Sequence, residues 1–247
     1  MTPQITMQQF TIVILAMSCS MITGCVIPGG GLERIEAYAR PDLVDKLKVL
    51  HVGAELAQGA GYPITRKIGI TSEHLTDDLK PNVSVDGLPM VSAFLPPFRT
   101  EYLGPRLNRY DWRIVTGVSE QDRFEPNVID PKVELKVGDK VYIGGFPFYY
   151  HYWSQKDFLR QKPLVIETTV VELNSKGREW GGLVLVKAPV AWYNGFSGGP
   201  AAIIDDSGTI RVWGTMIGYL FRWKDWNGLE FVLCVAPLPR DFMDNRH

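Results

Sequence analysis

Between Gly195 and Pro200 the chain reads G-F-S-G-G-P, one serine set among three glycines shortly after the bulky run V-A-W-Y. A serine hydroxyl is a poor nucleophile at neutral pH. To attack a carbonyl it needs a base to take its proton, a third group to orient that base, and donors for the oxyanion that forms. The glycines suit that chemistry. Gly195 is free to adopt a conformation that turns its N–H inward beside the N–H of Ser197. Gly198 and Gly199 keep the following turn clear of side chains, so that a substrate main chain can approach, and Pro200 starts a strand. Four histidines are available as bases, at positions 51, 74, 151 and 247. His51, in VLHVGAEL, reads as a structural residue of an edge strand; His151 reads as packing among the aromatics of FYYHYW; His247 is the last residue. The histidines are too dispersed, and the three cysteines too far from any CxxC spacing, to suggest a zinc site.

G-F-S-G-G-P matches the G-x-S-G-G-P nucleophile segment of the chymotrypsin-like (trypsin-like) serine peptidases, and most resembles their bacterial HtrA/DegP-type branch. That family takes its catalytic residues in the order His, Asp, Ser. Here G-A-G at 59–61 leads into IGITSEH, which has Thr71 and His74 and resembles the family's strand ending in Thr-(Ala/Asn)-x-His. Asp77, Asp78 and Asp130 are also present, but only Asp111 opens a strand-like apolar run. Its surroundings, DWRIV, resemble the family's aspartate segment, with Arg113 where the family has Ala. The resemblance implies Ser197 as nucleophile, His74 as general base and then acid, Asp111 as the orienting carboxylate, and the N–H groups of Gly195 and Ser197 as the oxyanion hole. No metal or organic cofactor enters that scheme. Ala191, six residues before the serine, would wall the primary specificity pocket together with Gly214, Thr215 and Gly218. An alanine there offers no carboxylate to Lys or Arg, so small or medium apolar side chains are expected, with Trp192, Tyr193 and Phe196 narrowing access. ELKVGDKVYIGGFP (134–147) resembles the family's lead into its second barrel, and IRVWGTMIGYL (210–220) its strand beside the substrate.

The elements that must position these residues read as β throughout. KIGITS, LPMVSAFL, DWRIVTGV, DKVYIGGFP, LVIETTVVELN, GLVLVKAPV, PAAIID, IRVWGTMIGYLF and LEFVLCVA are short and rich in Val, Ile and aromatics. SVDG, VGDK, DDSG and DWNG punctuate them as turns. Such a series, without convincing amphipathic helices between, predicts an all-β sandwich or barrel. The resemblance narrows this to two six-stranded antiparallel Greek-key barrels, the first at about 47–125 and the second at about 132–238, within a peptidase domain spanning 47–240. It leaves 241–247 as a tail and no stretch for a PDZ-type module. Short helices are expected near 33–47, after His74, in SQKDFLRQ and in LPRDFMDN. Cys234, in FVLCVA, reads as a small buried apolar residue.

The N-terminus differs in kind. FTIVILAMSCSMIT is uncharged, mostly apolar and of signal-peptide length, and Ile22-Thr23-Gly24-Cys25 resembles a bacterial lipobox. The expectation is a signal over 1–25 and a lipidated Cys25, then a tether and arm over 26–46 that hold an exported domain at the cell envelope. Residues 1–9 lack the Lys or Arg with which export signals normally begin. With 26 basic and 27 acidic side chains scattered along 247 residues, nothing suggests a nucleic-acid footprint. The expected partner is a polypeptide substrate. Two other readings compete: a non-catalytic homologue that binds a peptide or protein in the same groove, and an esterase-like hydrolase, for which the elbow G-x-S-x-G is only half matched.

Overall fold

Strand residues with alternate apolar side chains can bury one face only by finding a partner, and a sheet closed on itself leaves no edge unpaired. The chain solves this twice. In the computed structural model, residues 36–53, 58–72, 75, 82–86, 88–93, 112–117, 124–147, 161–173, 182–188, 195–223 and 229–238 are described. All lie in one compact unit, Leu32–His247. The first barrel comprises β1 (Leu50–Gly53), β2 (Gln58–Pro63), β3 (Ile68–Ser72), β4 (Asn82–Val85), β5 (Leu88–Ala93) and β6 (Trp112–Gly117). The second comprises β7 (Lys140–Gly145), β8 (Leu164–Glu172), β9 (Val184–Lys187), β10 (Pro200–Ile204), β11 (Ile210–Trp223) and β12 (Leu229–Pro237). Both close in the same order, β1-β2-β3-β6-β5-β4 and β7-β8-β9-β12-β11-β10, with every strand pair antiparallel. The expectation of two six-stranded Greek-key barrels is met.

Strand alternation divides the apolar residues of the second barrel between two cores. Val141 and Ile143 of β7 pack with Ile166, Val186, Trp213 and Leu233. Tyr142 between them belongs to a second cluster that also takes Tyr62, Ile70 and Ile114 of the first barrel. The barrels therefore share a core. Cys234 belongs to it, fully buried as expected, and burial pushes its thiol up to about 12.

Two segments outside the strands tie the barrels further. A short arm, a 3-10 turn at Glu36–Tyr38 and then α1 (Pro41–Val44), runs along β8 before entering β1. Ala39 bridges Ile166, the Arg40 N–H donates to the Val165 carbonyl at 2.7 Å, and the Arg40 guanidinium pairs with Glu167 at 2.8 Å. The segment 124–139 crosses back. Asn127 accepts the Lys48 N–H and donates to the Lys48 carbonyl, while the Asp130 N–H reaches the Val212 carbonyl. The helices expected after His74 and within SQKDFLRQ and LPRDFMDN fall almost wholly outside the described residues, as does the N-terminal segment with Cys25. Among the described residues no helix is long and apolar enough to cross a membrane.

Candidate active site

Five residues, Gly195 to Gly199, turn the chain into β10, and their main chain is fastened to both barrels. On the second-barrel side the Phe146 N–H donates to the Gly195 carbonyl (3.1 Å) and the Gly198 N–H to the Met216 carbonyl (2.7 Å). The Met216 N–H returns a bond to the Gly199 carbonyl (2.9 Å). From the first barrel, the Ala60 N–H on β2 donates to the carbonyl of Ser197 itself at 2.7 Å. Gly195 and Gly198 have φ of +90° and +84°, the left-handed region that favours glycine. At Gly198 space as well as φ demands it: a Cβ would meet the Ala60 carbonyl, with Thr71 Oγ1 at 2.6 Å and the Ser72 nitrogen at 2.8 Å.

Ser197 is half-buried, between the buried Phe196 and Gly198. Among the described residues no acceptor takes the N–H of Gly195 or of Ser197, leaving two donors available at the turn. Phe196 corrects an expectation. It is fully buried in the second-barrel core, and its ring lies 2.5 Å from where a Cβ on Gly145 would sit. It anchors the loop from below and does not narrow access from above.

β3 ends against this loop. Thr71 and Ser72 are both fully buried; the Thr71 hydroxyl donates to the Ala60 carbonyl at 2.7 Å, and the Ser72 hydroxyl lies 3.3 Å from the Met216 carbonyl. Ser72 pairs across the sheet with Trp112, the first residue of β6. Leu75 is also buried; a Cβ on Gly59 would meet its side chain at 2.3 Å and the Ser197 carbonyl at 2.8 Å. His74 and Asp111 lie outside the described residues, as do Ala191, Trp192 and Tyr193. Of their described neighbours, Ser72 and Leu75 pack at the Ser197 loop, and Trp112 pairs with Ser72.

The other candidates separate on geometry. Gly214 pairs with Ala201 on one side and Pro237 on the other, and Thr215 with Pro200 and Ala236. The Thr215 side chain is fully buried, and its hydroxyl meets Tyr62 Oη of the first barrel at 2.7 Å. Gly218 lies past the bulge at Met216/Gly218, half-exposed, with nothing within 4 Å of a Cβ position. Asp130, within the linker, pairs with Arg211 at 3.5 Å. His51 is a packing residue: its ring stacks on Phe146 at 3.5 Å, and its main-chain N–H donates to Asp86. Among the described residues no three His, Cys, Asp or Glu side chains are grouped to hold a metal ion. A crevice of about 460 Å³ lies between α1, β1 and the linker, and shares no residue with the Ser197 loop. Sequence reasoning missed Ala60 and Met216, which hold the loop. The signal available for them was the Gly-x-Gly flanking Ala60 and the long apolar run through Met216.

No protein-family model matches the chain, and no curated protein does. Solved structures do match. The inactive form of the Rv3671c protease of M. tuberculosis superposes with a TM-score of 0.50 at 20% identity, over 79% of this chain and 91% of that one. The scabies mite inactivated protease paralogue S-I1 superposes with a TM-score of 0.52 at 15% identity, over 80% of this chain and 94% of its own. At these identities the likeness speaks for the fold, which is the chymotrypsin-like double barrel.

Proposed function

We propose that the chain is a serine endopeptidase of HtrA/DegP-like kind. Ser197 attacks a peptide carbonyl, His74 takes its proton and returns it to the leaving amine, and Asp111 fixes the imidazole tautomer. The N–H groups of Gly195 and Ser197 receive the oxyanion, and water releases the acyl-enzyme. The observation that carries this reading is the setting of β3: Ser72 and Leu75, the described residues on either side of His74, both pack at the Ser197 loop. Trp112, which follows Asp111, is the cross-strand partner of Ser72. Around the substrate, Ala191, Gly214, Thr215 and Gly218 wall the primary pocket in this reading, and they favour small or medium apolar side chains. Cys25 carries lipid and holds the domain at the bacterial envelope.

One observation favours a second reading. The scabies mite protein carries this fold as an inactivated paralogue, so the same groove could bind a peptide or protein without cutting it. Labelling of the full-length protein with a fluorophosphonate probe separates the two. Wild type is expected to label, Ser197→Ala and His74→Ala are not, and Asp111→Asn should slow labelling roughly 10⁴-fold. A folded wild type that stays unlabelled would leave only the binding groove. Run on fractionated cells, the same labelling checks the anchor: signal in the membrane pellet for wild type, and in the soluble fraction for Cys25→Ala.

A further inference from the structure

The geometry points to Thr71 as a positioning residue for Ser197, acting through Ala60; this rests on the proposed role of Ser197 as nucleophile. The Thr71 side chain is fully buried, so its hydroxyl must find its partner inside the protein. It donates to the Ala60 carbonyl at 2.7 Å, and the Ala60 N–H donates to the Ser197 carbonyl at 2.7 Å. These two groups flank one α-carbon, so Ala60 is fixed on both sides, once by β3 and once by the nucleophile loop. The same hydroxyl oxygen lies 2.6 Å from where a Cβ on Gly198 would sit. It therefore touches the loop directly as well as the residue that supports it.

Thr71 also stands three positions before His74 on the strand that leads to it. The strand that leads towards the proposed base thereby also steadies the loop of the proposed nucleophile, which lies in the other barrel. Nucleophilic attack tolerates little misplacement: about 1 Å can cost on the order of 10²-fold in rate. A valine at 71 has the same shape without the donor. It sets a methyl group against the Ala60 carbonyl and frees the Ala60 α-carbon to shift, taking the Ser197 carbonyl with it. Serine keeps the hydroxyl.

The test compares full-length wild type with Thr71→Val, Thr71→Ala and Thr71→Ser. It follows fluorophosphonate labelling over time and pH, and amide hydrogen exchange at Ala60. Valine and alanine are expected to lower the labelling rate constant by about 10-fold or more, with the labelled fraction and the pH midpoint unchanged, and to speed exchange at Ala60. Serine should keep both near wild type. A purely structural role would lower the labelled fraction and leave the rate constant alone, and that result overturns the proposal. So does a serine variant as slow as valine, or an alanine variant as fast as wild type. Alanine, the smaller change, decides the matter if valine does not fold. If wild type itself does not label, the reading of Ser197 as nucleophile fails, and exchange at Ala60 alone tests the clamp: faster in valine but not serine upholds it, unchanged in valine overturns it.

Discussion

At the scale of the residue, the loop is built from what its glycines lack. Gly198 and Gly208 share a left-handed backbone, at φ +84° and +81°, but differ in surroundings. Nothing lies within 4 Å of a Cβ at Gly208, whereas at Gly198 the Ala60 carbonyl, Thr71 Oγ1 and Ser72 nitrogen already fill the space. Alanine at 208 should therefore cost only the φ penalty, about 1 kcal/mol, and leave labelling of Ser197 as it was. Alanine at 198 meets main chain from the other barrel, which has no rotamer to yield. It should cost more than the Gly208 change, by roughly 1–3 kcal/mol, and slow labelling far more than its effect on stability accounts for. Chemical denaturation and probe labelling of the two variants side by side check both expectations; equal effects would mean that the loop is not clamped between the barrels. The serine and its glycines were legible because their types are rare in that order. The bonds holding them were not, since Thr71 meets Ala60 only once β2 and β3 are in register.

At the scale of the element, the strands that sequence reveals are those packed by side chains. KIGITS became β3, DKVYIGGFP became β7 and LEFVLCVA became β12, each with β-branched or aromatic residues on a buried face. β2, QGAGYP, carries little such signal, for a physical reason. A Cβ on Gly61 would lie 2.7 Å from both the Ile70 carbonyl and Val52 Cγ2, and one on Gly59 would run into Leu75 and the Ser197 carbonyl. β2 must be bare at both positions, at Gly61 for its neighbours in its own sheet and at Gly59 for Leu75 and the Ser197 loop, so it loses the composition that announces a strand. β4, NVSV, is short and runs straight into a turn at Asp86, and so reads as part of the turn. Only one large side chain on β2, Tyr62, reaches across, and its hydroxyl bonds Thr215 on β11 with both residues fully buried. Burial holds the Tyr62 phenol above its usual range, which favours its neutral form. Tyr62→Phe removes one partner and leaves the Thr215 hydroxyl buried and alone. The expected loss is about 1–3 kcal/mol in urea denaturation, and adding Thr215→Val should recover part of it. A double mutant as unstable as the sum of the singles would show that the two hydroxyls do not couple.

At the scale of the whole molecule, two closed barrels have no strand edges left to pair with each other, so strand pairing cannot set their spacing. The shared core, the linker through Asn127 and the N-terminal arm supply that spacing instead. The arm is the part most open to solvent conditions, because charge docks it. Glu167 on β8 sits between Lys140, at 2.9 Å, and Arg40 of the arm, at 2.8 Å. The Lys140 ammonium first, and the Arg40 guanidinium with it, hold the Glu167 carboxyl below its ordinary value of 4.5 against the opposing effect of burial. A carboxylate whose pKa is lowered by folding stabilises the folded state at pH values above its ordinary one. That contribution fades as the pH falls through the lower folded value. At pH 7 Glu167→Gln should therefore melt roughly 2–4 °C below wild type. The gap should narrow in high salt, because both cations are partly exposed, and close only as the pH falls through the lowered folded value and wild type loses its own charge. A gap that persisted unchanged at low pH would mean that Glu167 acts through packing. The arm would then be held by Leu43, Leu47 and the Ala39–Ile166 bridge, with its ion pairs contributing nothing to the spacing of the barrels.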